Sequence, residues 1–167
     1  MHVSYKTTFA AVLYGGFIAG TIDIGAASLI NWLSPVVILH AITSGLLGAD
    51  SFRAGASAAL LGLLLQWAMS LVIAAIFVFA AHALPWLKRH WMPAGLMYGV
   101  VIFFVMNYMV VPLSAASFKA HHFGATKFVE NLLAMLLFGL IVAFCACRLL
   151  SGNKTAKPAY TAASEDD

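Results

Sequence analysis

Residues 57–83 read SAALLGLLLQWAMSLVIAAIFVFAAHA, and none of these 27 positions is Asp, Glu, Lys or Arg. At 1.5 Å per residue a helix of this length reaches about 40 Å. That exceeds the roughly 30 Å hydrocarbon core that about 20 apolar residues cross. Pro85 ends the run. Such a segment predicts a transmembrane helix, because lipid leaves backbone N–H and C=O groups no partners but one another.

The rest of the chain agrees. Its 167 residues are 63% hydrophobic and 9% charged, with a mean hydropathy of +0.96. Soluble domains carry about 25% charged residues, so a soluble globular enzyme is excluded, and disorder is excluded for all but the ends. The length allows one domain. The net charge of +3 reads as Lys and Arg flanking membrane spans. No basic block or stripe marks nucleic acid as a partner.

Three further stretches qualify as spans: residues 9–30, residues 94–111 between Pro93 and Pro112, and residues 127–150 before Ser151-Gly152. Lys6 followed by an apolar run resembles a signal peptide, but the run is too long and contains Asp23, so it reads as a retained span. Between the first two spans, Ser34-Pro35 forms an N-cap followed by Pro at N1, and Gly48 suits a C-cap. The helix at residues 35–47 extends roughly 20 Å, too short to cross, so it is either interfacial or re-entrant. Asp50 or Ser51 then caps an early start to the next helix. Residues 153–167 end Ser-Glu-Asp-Asp and read as a disordered cytoplasmic tail. The expected fold is an all-α membrane protein. It is a bundle of four transmembrane helices, with the short helix between the first and second, in one domain over residues 1–152.

Cytoplasmic loops hold the excess of Lys and Arg. With four spans, one side has Lys6, Lys88, Arg89, Arg148, Lys154 and Lys157, against Arg53, Lys119 and Lys127 on the other. Both termini are therefore expected in the cytoplasm. Trp86 and Trp91 flank the basic turn as interfacial aromatics, and Trp32 belongs at the opposite interface.

Each span carries a stripe of small or polar residues at helical spacing: Gly16, Gly20, Asp23 and Ala27 in the first; Gly62, Gln66, Ser70 and Ala74 in the second. The third has Gly95, Gly99, Phe103 and Asn107, and the fourth Asn131, Met135, Gly139 and Ala143. Small residues let helix backbones approach closely. Asp23 is different, because an acid inside a span costs about 2.5–3.5 kcal/mol on insertion scales. It lies about 10 Å below the non-cytoplasmic end of its span, Asn107 roughly 6–8 Å below that end, and Glu130 and Asn131 roughly 5 Å. Gln66 lies deeper. His40, Ser44 and Arg53 sit in the connecting segment on the same side. These eight residues form the expected polar cluster, capped by the short helix, with Arg53 or Lys127 as the cation near Asp23. Two readings of the cluster stand: polar glue between helices, or a ligand, proton or ion site.

No cofactor and no metal are expected. Cys145 and Cys147 point to nearly opposite sides of one helix. His121-His122 are adjacent, without an acid or Cys at ligand spacing, and His82 with His90 makes a poor haem pair. No HExxH, GxSxG, Walker A or GxGxxG pattern stands in a usable context, and a single Asp within a span does not make an aspartyl protease. No catalytic residues are assigned.

The stretch Gly15-Gly16-Phe17-Ile18-Ala19-Gly20-Thr21-Ile22-Asp23-Ile24 resembles the opening of a group of small, uncharacterised four-helix bacterial inner-membrane proteins. The segments Ile42-Thr43-Ser44-Gly45-Leu46-Leu47-Gly48 and Met106-Asn107-Tyr108-Met109-Val110-Val111-Pro112-Leu113-Ser114 resemble that group too. The resemblance covers about residues 9–150. It implies a bacterial cytoplasmic membrane and brings no activity, cofactor or substrate. The expected function is that of a structural or accessory protein of membrane assemblies; the alternatives are a small transporter or channel acting as an oligomer around Asp23, and a membrane enzyme or cofactor binder using His40, Asp23 and Arg53. The partners implied are the bilayer with another membrane protein or further copies of the chain.

Overall fold

The computed structural model describes residues 5–115 and 125–151. Every regular element among them is helical. In order they are α1 (Tyr5–Asn31), α2 (Pro35–Leu47), a 3-10 turn (Gly48–Phe52), α3 (Gly55–Ala83), α4 (Pro85–Arg89) and α5 (Trp91–Val105). A π-helical turn (Met106–Val110), α6 (Val111–Leu113) and α7 (Ala125–Ser151) follow. Lys119, His121, His122 and the tail at 153–167 lie outside the described residues.

Five segments are long and apolar enough to cross a membrane: α1, Pro35–Phe52, α3, Trp91–Leu113 and Ala125–Leu150. This is the architecture of a multi-pass helical membrane protein. The outward face of α3 agrees, exposing Leu60, Leu64, Val72, Ile76 and Phe79, an apolar surface that water would not support. The sequence count is four. The fifth segment arises because a 3-10 turn follows α2 directly. It is not one straight helix, since Gly48 breaks it at φ +65° and ψ −150°, a backbone conformation that glycine adopts without steric cost.

Other boundaries differ in detail. Neither Asp50 nor Ser51 caps α3. Both belong to the 3-10 turn, Ala54 precedes the helix, and Gly55 enters it at φ +63°. Helix α5 begins at Trp91, two residues before Pro93. Proline is tolerated there because the first N–H groups of a helix have no intrahelical acceptor.

The turns follow from local chemistry. Helix α1 ends in a Schellman motif, with Trp32 N–H on Leu29 O at 3.4 Å and Leu33 N–H on Ser28 O at 3.2 Å. The C′ position falls on Trp32 at φ +54°, where glycine is usual. Ser34 then caps α2, its Oγ accepting from Val37 N–H, with Pro35 at N1. Near the end of the fourth long segment, Pro112 has no N–H, and in an α-helix its ring would strike the carbonyl four residues back. The preceding turn widens instead, and Val111 N–H reaches Met106 O, five residues back.

Contacts between side chains and backbones fix the direction of each long helix. Thr8 meets His82, Gly20 packs on Ser70, and Asp23 meets Gln66, so α1 and α3 are antiparallel. Gly15 faces Cys145 while Lys127 reaches Ile30, so α1 and α7 are antiparallel. Gly95 faces Ala143 and Phe103 packs on Phe128 at 5.0 Å, so α5 and α7 are antiparallel. The main apolar core runs through Ala74, Phe77, Val78, Phe138, Val142 and Ala146. At that end α3 and α5 join, where Tyr98 Oη donates to Ile73 O at 2.7 Å and its ring lies 5.1 Å from Phe77. At the other end α2 sits between them. Thr43 Oγ1 donates to Ala58 O on α3 at 2.6 Å, and Ala115 N–H, just past α6, donates to Gly45 O at 2.8 Å.

Candidate functional site

Because α2 separates α3 from α6, the bundle is not filled at this end. A cavity of about 600 Å³ lies under α2. Each of the five long segments contributes to it: Asp23, Ala27 and Asn31 from α1; Ile38, Ile42 and Gly45 from α2; Leu65, Gln66 and Met69 from α3. The π turn and α6 add Met106, Val110 and Val111, and α7 adds Lys127, Asn131, Ala134 and Met135. The volume falls within the roughly 300–1,000 Å³ of small-molecule sites, and the lining is mostly apolar with a few polar groups, as such sites are.

The polar groups have definite partners. Gln66 Nε2 donates to Asp23 Oδ2 at 2.8 Å across the α1–α3 contact. Both side chains are half-buried. One layer outward, Trp67 Nε1 donates to Thr21 Oγ1 at 3.3 Å, and the Trp67 ring meets Phe17 edge-on at 5.2 Å. These contacts hold α1 and α3 in register beside the carboxylate. Lys127 sits at the cavity wall, donates to the Ile30 carbonyl, and pairs with Glu130 at 3.4 Å. Its ammonium thus satisfies a carbonyl at the C-terminal, negative end of the α1 dipole.

Of the eight expected site residues, the cavity brings together Asp23, Gln66 and Asn131. The other five are placed differently. His40 is buried, with Nδ1 2.7 Å from Val36 O, Nε2 3.0 Å from Gly55 O, and its ring stacked on Phe52. It ties α2 to the start of α3. Ser44 is buried and donates back to Ala41 O at 2.6 Å. Arg53 is exposed at the end of the 3-10 turn and does not line the cavity. Asn107 donates to Phe103 O at 2.8 Å, within its own helix. Glu130 reaches the site only through Lys127. Depth places Asn107 and Glu130, and position in the connecting segment places His40, Ser44 and Arg53, on one side of the membrane. Depth does not specify which way a side chain points around its helix.

Five contributors escape the depth argument. Asn31 and Ser114 reach the wall from helix ends, where a polar residue gives no distinctive signal. Met69, Met106 and Met135 line the cavity together; Met135 lies on the stripe of its span, and nothing in the spacing of the other two separates them from ordinary core methionines. Unbranched thioethers adapt to irregular shapes, so this wall can accommodate occupants of varied outline. Comparison with protein-family models, curated proteins and solved structures finds no match.

Proposed function

We propose that this chain is a four-span protein of a bacterial cytoplasmic membrane, with both termini cytoplasmic, that binds a small, largely apolar molecule in the cavity under α2 and moves it as an oligomer. The four-span count is supported by the antiparallel pairing of α1 and α3. A single crossing by Pro35–Phe52 would make those helices parallel. That segment therefore enters and leaves on one side as a re-entrant or interfacial unit. The excess of Lys and Arg at the α4 end supports a cytoplasmic placement of that end.

The observation that carries the binding function is the cavity itself, with a half-buried carboxylate in its wall. An accessory role draws its sequence support from the small-residue faces, and those faces are largely used inside the chain. A Cβ at Gly16 would lie 2.9 Å from the Leu71 backbone, and one at Gly99 2.7 Å from that of Leu136. The apolar core fills the opposite half of the bundle, so passage through a single subunit needs a rearrangement or a second copy.

Native mass spectrometry of protein purified gently from its own membranes tests the proposal. The expected result is a homo-oligomer carrying a small molecule that Ala134→Trp, which fills the cavity, displaces. Foreign protein subunits with no small molecule would replace it with the accessory role.

A further inference from the structure

The charge balance of the cavity wall, taken together with the binding function proposed above, on which this inference rests, identifies the class of occupant. Among the described residues, two ionisable side chains line it, Asp23 and Lys127. The Lys127 ammonium is already engaged by the Ile30 carbonyl and by Glu130. Among the described residues, the hydrogen-bond donor to Asp23 is a neutral one, the Gln66 amide, at one of its two oxygens. No Lys, Arg or His among the described residues lies within ion-pair distance of it, since the ion pair present is Lys127 with Glu130. An ionised carboxylate has about four acceptor sites, so most of the hydrogen-bonding capacity of Asp23 remains free. A carboxylate in an apolar environment requires pairing, and this one faces a chamber large enough for a drug-sized molecule.

We propose that the occupant is a lipophilic cation, an amphiphilic amine or onium ion. Its apolar body lies against the Met69, Met106 and Met135 wall and under α2, and its positive centre is placed at Asp23. Gln66 is a positioning residue that holds the carboxylate toward the chamber. An anion would meet Asp23 without compensation, because Lys127 is committed elsewhere. A neutral molecule of the same shape would gain the apolar contacts alone. The three methionines allow many body shapes, while Asp23 selects the sign of charge.

The test uses the full-length chain in detergent micelles, with equilibrium dialysis against protein-free micelles to remove partitioning. The probes are tetraphenylphosphonium, tetraphenylborate as its anionic counterpart, and neutral tetraphenylsilane. The expected order of affinity is cation, neutral, anion. Asp23→Asn is expected to weaken phosphonium binding roughly thirtyfold or more, as removal of one partner of a buried charge pair does. It leaves the neutral probe unchanged, and Asp23→Glu retains the cation preference. The charge order is measured on the unmodified chain, so it stands even where a variant fails to fold. Equal binding of all three probes would overturn the charge assignment while keeping the cavity as a binding site. Binding of none would overturn the cavity reading as well.

Discussion

Asp23 and Gln66 are the residues on which the site turns. Their 2.8 Å contact joins two helices in an environment where interhelical hydrogen bonds contribute about 0.6 kcal/mol on average and at most about 1.7. A double-mutant cycle of Asp23→Ala and Gln66→Ala, read by unfolding in mixed micelles, is expected to give a coupling of about 0.5–1.5 kcal/mol. A coupling of zero would mean the two side chains do not meet. Asp23 was legible in the sequence because an acid inside a span has few explanations. Gln66 was legible because it lies on the small-residue stripe of its own helix. Their contact was not legible, since it depends on the antiparallel offset between α1 and α3. Lys127, named as one of two candidate cations, lines the cavity with Asp23, while Arg53 does not.

At the scale of elements, helix packing follows the small residues. A Cβ at Gly139 would strike Gly95 O and lie 2.7 Å from Gly99 N. Gly139→Leu is therefore expected to destabilise the protein by about 3 kcal/mol, the upper end for overpacking. Gly25 has nothing within 4 Å of a Cβ, so Gly25→Ala is expected to be neutral or to add up to about 1 kcal/mol from helix propensity. Detergent unfolding of both variants checks the contrast, and similar losses in the two would refute the close α5–α7 packing. The π turn before Pro112 gives a second element-level prediction. Pro112→Ala permits a regular helix, which rotates the residues on either side of the turn by about 100° relative to each other. Met106, Val110 and Val111 could then no longer all face the cavity. Phosphonium binding is expected to fall while thermal stability holds or rises, because an interior proline costs about 3 kcal/mol.

At the scale of the molecule, topology is the property that everything else assumes. With Cys145 and Cys147 replaced by Ala, a cysteine introduced at Arg53 is expected to react with an impermeant maleimide added outside intact cells. One at Arg89 is expected to react only after the membrane is opened. The reverse pattern would place the start of α3 in the cytoplasm, and labelling of both from one side would mean that α3 does not cross the membrane. The stripes and the charge bias were legible here because both depend on residue type and spacing alone.

Composition and hydrophobic run length determined that the chain is helical and built for a bilayer, because a single long apolar run satisfies its own backbone polar groups in lipid as a helix. The Ser34-Pro35 start and the Gly48 stop likewise determined α2, since capping is a property of adjacent residues. The tertiary structure alone decided that α2 separates α3 from α6, that a cavity of about 600 Å³ results, and that Asp23, Gln66 and Asn131 share it while His40, Ser44, Arg53, Asn107 and Glu130 do not. The reason is geometric. Depth along a helix follows from residue number, whereas the direction of a side chain, and the space left beside it, depend on how separate helices are rotated and offset against one another.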